Sequence, residues 1–309
     1  MTHSNVSQDR PVAGLAIRLF AIAVLSSMFA LVKYVGEQGV HVIEILFYRY
    51  LFGAVLTGGW TIYRQGFDGF HTKRFGGHAL RAAFGIVAMG MNFWAVIILQ
   101  MAEAATIGFT VPLIATVFSV IFLSEFVGIR RWAAVSIGFL GILIAIQPWQ
   151  TSMPLFGACV ALAGATFGAV TMIIIRRLGT TETSTSIVFY YTILAVPIVG
   201  IGMFWVAQPH SWDIIGLLLL IGFLGTIGQL GLSESLRLAN VAVVMPMDYS
   251  NLIFATAIGF VFWQQLPQAS LWLGAPLIIG SGIYIALRER KLAKTKTLSQ
   301  DKGEAKNAS

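Results

Sequence analysis

Charge is what this chain has least of. Only 11% of its 309 residues are Asp, Glu, Lys or Arg, less than half of the about 25% usual in soluble domains. A chain that is 57% hydrophobic, with a mean hydropathy of +0.81, can neither stay disordered nor hide so much apolar surface in water. It is an integral membrane protein. Cysteine is almost absent as well. Cys159, in "GACVALAG", is alone, which excludes an intramolecular disulfide and a thiolate metal centre and leaves a small core residue. There is no Gly-x-x-x-x-Gly-Lys-Ser/Thr loop for ATP and no His-Glu-x-x-His, and the histidines fall in the N-terminal tail, loops or span ends. No metal and no cofactor are expected. Nor does the formal charge of +7 imply a nucleic-acid partner, because the basic residues sit in short loops and a tail rather than on one face.

What the chain has is apolar runs. A hydrocarbon core of about 30 Å takes roughly 20 apolar residues per helix. Ten segments approach that length: 13–35, 42–63, 79–100, 103–124, 130–147, 155–175, 185–206, 212–236, 241–263 and 270–287. The first, "RLFAIAVLSSMFA", has features of a cleaved leader but is read as a span, because the charge pattern needs it. With both termini in the cytoplasm, 17 of the 20 basic residues fall on the inner side and none on the outer connections; Arg18, Lys33 and Arg49 lie within spans. The expected location is the cell inner membrane.

The sequence also resembles itself. "NFWAVIILQMAEAA" (Asn92 to Ala105) aligns with "QLGLSESLRLANVA" (Gln229 to Ala242) at an offset of 137, and Glu125 and Trp132 align with Gln265 and Trp272 at 140. Five spans per copy is an odd number, so the second copy enters the membrane inverted. Inverted repeats accompany transporters that alternate access around a site near the midplane.

Three stretches carry a resemblance to a known family. "AEAATIGFTVPLIATVFSVIFLSEFVGIRRWAAVSIGFLGILIAIQP" (Ala102 to Pro148) resembles the fourth and fifth helices of the EamA family of the drug/metabolite transporter superfamily. "MPMDYSNLIFATAIGFVFWQQLPQASLWLGAPLIIGSGIYIALRER" (Met245 to Arg290) resembles its ninth and tenth, and "FYRYLFGA" (Phe47 to Ala54) its second. The resemblance implies an all-α membrane protein of ten helices in two inverted repeats, with spans 1–4 and 6–9 around a central cavity and 5 and 10 outside it. The expected organisation is a tail over 1–12, repeats over 13–148 and 149–288, and a basic tail over 289–309. The function implied is a secondary permease that moves a small organic metabolite, such as an amino acid, with proton coupling open. The alternatives are an importer of a riboflavin- or S-adenosylmethionine-type metabolite and, from another class, a membrane-embedded enzyme acting on lipid. That enzyme would need two converging catalytic groups. The partners expected are the cargo and membrane lipid, with a homodimer also allowed.

Seven residues are candidates for the site. Asp248 lies about 10 Å inside the ninth span at 1.5 Å per residue, too deep to reach water alone. It could bind cargo or carry a proton, or it could repair the backbone broken at Pro246, which leaves the carbonyl of Ala242 without a partner. Tyr249 follows it. Arg49 could grip a carboxylate with its planar fork, or pair with Glu44, or reach the interface. Asn92 and Gln229 are repeat mates, and serve either as amides lining a cavity or as interhelical hydrogen bonds. Phe93 and Trp94 sit deep enough to wall a pocket, or face lipid. Arg18 and Lys33 are expected to snorkel to opposite interfaces. Gly222, Gly225, Gly228 and Gly231 permit close helix contact, and Pro112, Pro197 and Pro246 are expected to interrupt their spans.

Overall fold

The computed structural model describes residues 11–66, 72, 74–123, 129–147, 149, 153–179, 181–182, 184–238, 245–285 and 287. Among them every regular element is helical, as lipid requires of a chain whose backbone must satisfy its own hydrogen bonds. The helices are α1 (Pro11–Glu37), α2 (Val42–Gln65), α3 (Phe75–Ile98), α4 (Met101–Gly108), α5 (Val111–Leu123), α6 (Ile129–Ile146), α7 (Leu155–Leu178), α8 (Ser184–Val206) and α9 (Trp212–Leu238). A 3-10 turn over Met245–Ser250 leads into α10 (Asn251–Trp263), and α11 (Ala269–Ile285) follows. Seven helical segments are long and apolar enough to cross a membrane by themselves. The fifth and tenth spans, α6 and α11, are shorter, and the fourth and ninth are each built in two pieces.

The packing has the symmetry of the repeat. The most extensive contacts join α1 to α9, α3 to α7 and α2 to α8. With five spans per copy, α1, α2 and α3 are the mates of α7, α8 and α9. The first two contacts are therefore one contact seen twice, and α2 against α8 lies on the pseudo-two-fold axis.

The two-piece spans obey the same symmetry. α5 and α10 are both 13 residues long and begin 140 positions apart, at Val111 and Asn251. Just before them stand the mates Phe109 and Tyr249, whose rings meet edge to face at 5.0 Å. The next pair of mates, Thr110 and Ser250, each bury a hydroxyl that has no hydrogen-bond partner. Of the three prolines, Pro197 departs from the sequence expectation, while Pro112 and Pro246 stand at the breaks of their spans. Pro112 sits in the first turn of α5, where its missing N–H costs nothing. Pro197 lies within α8, which is one unbroken helix. Pro246 belongs to the 3-10 turn, so of the three only Pro246 lies in a non-α segment. Glu125 and Ala242 lie outside the described residues.

Candidate functional site

α1 is fastened to the ninth span at three levels. Near its N-terminal end, Arg18 Nε and Nη2 donate to the two carboxylate oxygens of Asp248 at 2.7 and 2.6 Å. Arg18 also reaches the Leu232 carbonyl and the Ser235 hydroxyl on α9. Halfway along, Ser26 donates to Asn251 Oδ1 at 2.7 Å. At the far end Trp263 Nε1 donates to Glu37 at 2.7 Å, and Lys33 lies 3.2 Å from the same carboxylate.

Two sequence expectations are corrected by this seam. Arg18 and Lys33 do not snorkel; both are buried. The Lys33 ammonium donates to the carbonyls of Val96, Ile97 and Leu99, where α3 ends and its dipole is negative. Asp248 is not alone in an α-helix. It sits in a 3-10 turn of six residues, long for that geometry, and its carboxylate is taken by a bidentate arginine.

A second polar centre lies where α2 crosses α8. Tyr50 and Tyr191 share one hydrogen bond, with oxygens 2.5 Å apart and rings edge to face. Tyr191 Oη also donates to the Gly85 carbonyl on α3. The two tyrosines are 141 positions apart, close to the repeat offset, and so face each other across the axis. Each carries an arginine on its ring: Arg49 at 5.2 Å from the Tyr50 centroid and Arg81 at 4.0 Å from that of Tyr191. Arg49 lies 6.0 Å from the Phe93 ring as well.

Neither arginine has an acidic partner among the described residues. Arg49 is 6% exposed and Arg81 7%, and Arg49 Nε, Arg81 Nε and Arg81 Nη1 have no acceptor. Glu44, the sequence's candidate partner for Arg49, instead binds His210 Nε2 at 2.8 Å and the backbone of Gln208. A buried charge stripped of its partner costs on the order of 3–5 kcal/mol. A desolvated ring face returns about 2 kcal/mol, so stacking leaves each guanidinium short of its due.

Beside Arg49 is a cleft that also receives Gly53, Thr57, Thr192, Thr226 and Gln229. Its volume is about 10 Å³, roughly the room of one water molecule. Two glycines make room for the two arginines. A Cβ on Gly225 would stand 3.1 Å from Arg49 Nε, and one on Gly85 would collide with Arg81 Nη1.

The sequence's candidates are thus divided. Arg49, Phe93 and Gln229 share the centre on α2, α3 and α9. Asp248 and Tyr249 belong to the seam with α1, Tyr249 packing on Phe109 and reaching toward Gly282. Asn92 faces α7, where its Oδ1 would lie 3.0 Å from a Cβ on Gly164. Trp94, one residue from the fully buried Phe93, is 41% exposed and stacks edge-on with Phe156. Arg81 was not among the candidates because, at the start of a span, it reads as one more inner-side charge. Its only sequence signal is Gly85 one turn later.

Comparison with known proteins agrees with this architecture. A riboflavin transporter of Vibrio cholerae is 26% identical over 72% of this chain and 75% of its own. A pseudopaline exporter of Pseudomonas aeruginosa is 27% identical over 92% of this chain and 97% of its own. For an S-adenosylmethionine uptake transporter of Rickettsia conorii the figures are 24%, 93% and 97%. One solved crystal structure superposes with a TM-score of 0.61 at 16% identity, covering 89% of this chain and 97% of that one, and shares the fold. Residues 12–147 and 155–287 each match the EamA-like transporter family, and the chain belongs to that family.

Proposed function

We propose that this permease of small organic metabolites works by alternating access, with cargo held at the Arg49 cleft. The observation that carries the reading is the pairing of a polar centre on the pseudo-two-fold axis with a seam fastened at both ends. Repeats 13–148 and 149–288 rock against one another. Arg18 and Asp248 close one end of the path, and Lys33, Glu37 and Trp263 close the other. The first end faces the cytoplasm if the basic residues set the orientation, with both termini inside and the chain in the inner membrane.

Proton coupling has a route here. A proton on Asp248 would remove the anionic partner of Arg18 and release α1 from the ninth span. The site binds rather than catalyses: both oxygens of Asp248 are occupied by Arg18. The named relatives include uptake transporters and an exporter, so direction is set by gradients.

The test is uptake into proteoliposomes from a pool of amino acids, flavins and nucleosides, with and without a pH gradient, for wild type and Asp248→Asn. Gradient-driven accumulation by wild type, reduced to simple equilibration in the variant, is the expected outcome. Absence of protein-dependent flux for every compound would sink the carrier reading. Normal gradient-driven accumulation by Asp248→Asn would remove Asp248 from coupling.

A further inference from the structure

The geometry points to an organic anion as cargo: we infer that Arg49 and Arg81 together receive a carboxylate or phosphate group of the molecule carried. The inference rests on the carrier reading and names the substrate class of that same centre.

Unmet donors mark this centre. An arginine has five N–H groups in a rigid fork and no way to shed its charge. Three of the corresponding nitrogens on Arg49 and Arg81 are buried without an acceptor. Among the described residues the other buried cations are answered: Arg18 by Asp248, Lys33 by Glu37 and three carbonyls. At the axis two guanidiniums meet neutral tyrosines instead of a carboxylate. Each lies against an aromatic ring and close to a glycine of a packed helix, a crowded setting that limits how its guanidinium can turn. A fixed fork in a place of low dielectric is the arrangement that recognises carboxylate or phosphate by two parallel hydrogen bonds.

Two cations on one hydrogen-bonded tyrosine pair, with Arg49 in the cleft wall, also make this centre positive, and so attract an anion. The remaining polar lining is neutral: hydroxyls of Thr57, Thr192 and Thr226 and the amide of Gln229. It suits the uncharged polar part of the cargo, and Val188 the apolar part. The cleft as it stands holds about one water's volume, so the anion enters when the repeats part.

The experiment measures thermal stabilisation of the purified full-length protein by acetate, benzoate and inorganic phosphate. Each is compared with chloride at equal ionic strength, and acetate and benzoate also with acetamide and benzamide. Stabilisation by an oxyanion and not by chloride or by the amides is expected; the phosphate and carboxylate arms tell which group is preferred. Arg49→Gln and Arg81→Gln should each lose it, and should unfold no earlier than wild type without anion, since each removes an unpaired buried charge. Arg49→Lys should weaken the apparent affinity by about tenfold, as expected for one lost charge-assisted hydrogen bond. Arg130→Gln, on the exposed start of α6, should change nothing.

No oxyanion-specific shift in wild type overturns the inference, even if the variants fail to fold. So does a shift that survives Arg49→Gln and Arg81→Gln, or one lost equally in Arg130→Gln. The same preparation in proteoliposomes, offered riboflavin and its phosphate monoester together with the amino-acid and nucleoside pool, separates this from the carrier reading. Flux of neutral compounds without oxyanion binding sinks the anion and keeps the carrier. Oxyanion binding without any flux does the reverse.

Discussion

Among the described residues three arginines are buried, and they solve desolvation in two ways. Arg18 meets a carboxylate through both arms of its fork; Arg49 and Arg81 lean on aromatic rings. Removing one partner of a buried pair leaves the other uncompensated, at about 3–5 kcal/mol. The Asp248 side chain is 37% exposed against 6% for Arg18, so the two losses should be unequal. Asp248→Asn strands the buried cation and should lower stability by about 3 kcal/mol. Arg18→Met leaves a carboxylate that can reach water and should cost about half as much or less. The double variant Arg18→Met with Asp248→Leu should recover most of the loss. Thermal unfolding of the four proteins in one detergent checks this, and equal losses from the two single variants would contradict the pairing geometry. The sequence identified Asp248 as anomalous but not its partner, because Arg18 stands 230 positions away and its distance from the helix end suits snorkelling just as well. Arg49 was legible as a buried fork; its lack of a counter-ion was not, since Glu44 five residues earlier offered a false one.

Helix contacts were read from small residues, and here the outcome depends on what each glycine faces. The ladder on α9 was legible: Gly222 packs on Phe52, Gly225 on Met28 and Arg49, and Gly228 and Gly231 on Leu25 and Ala21 of α1. The crossing of α6 and α11 was not, because no regular spacing marks it. A Cβ on Gly274 would stand 2.7 Å from Ala145 Cβ and 2.8 Å from its backbone nitrogen, whereas one on Gly280 of the same helix meets nothing. Backbone cannot swing aside as a side-chain tip can. Gly274→Ala should therefore destabilise by about 1–3 kcal/mol, as overpacking does. Gly280→Ala should be neutral or stabilise by up to about 1 kcal/mol, from helix propensity alone. Parallel unfolding curves separate them, and a loss in both would mean that α11 does not cross α6 at Gly274. Ten spans were legible because apolar length is a property of each segment by itself. Pro112 and Pro246 marked the fourth and ninth spans as interrupted but not the form of the break, since a 3-10 turn and an α-turn bury similar side chains and differ in hydrogen bonding.

At the scale of the molecule, the symmetry makes a demand that no single element makes. If the halves exchange roles, loosening one end of the α1 seam must open the central cleft to one side of the membrane and not the other. Arg18 and Lys33 hold opposite ends of α1, and Thr226 on α9 lines the cleft between them. A reporter cysteine at Thr226, with Cys159→Ala removing the native thiol, which is exposed on α7 rather than in the core as the sequence suggested, can be labelled by a membrane-impermeant maleimide in right-side-out and inside-out vesicles. Arg18→Met should raise labelling from the side that carries the N-terminal end of α1, and Lys33→Met from the opposite side. The rise should be several-fold, because losing even about 1.4 kcal/mol of a closing interaction shifts a two-state balance tenfold. Equal gains from both sides in either variant would describe a pore rather than a carrier. Gains on the same side in both variants would mean that the two ends of the seam act as one latch, and that the second gate lies between α3 and α7, the mates of α9 and α1 in the other repeat.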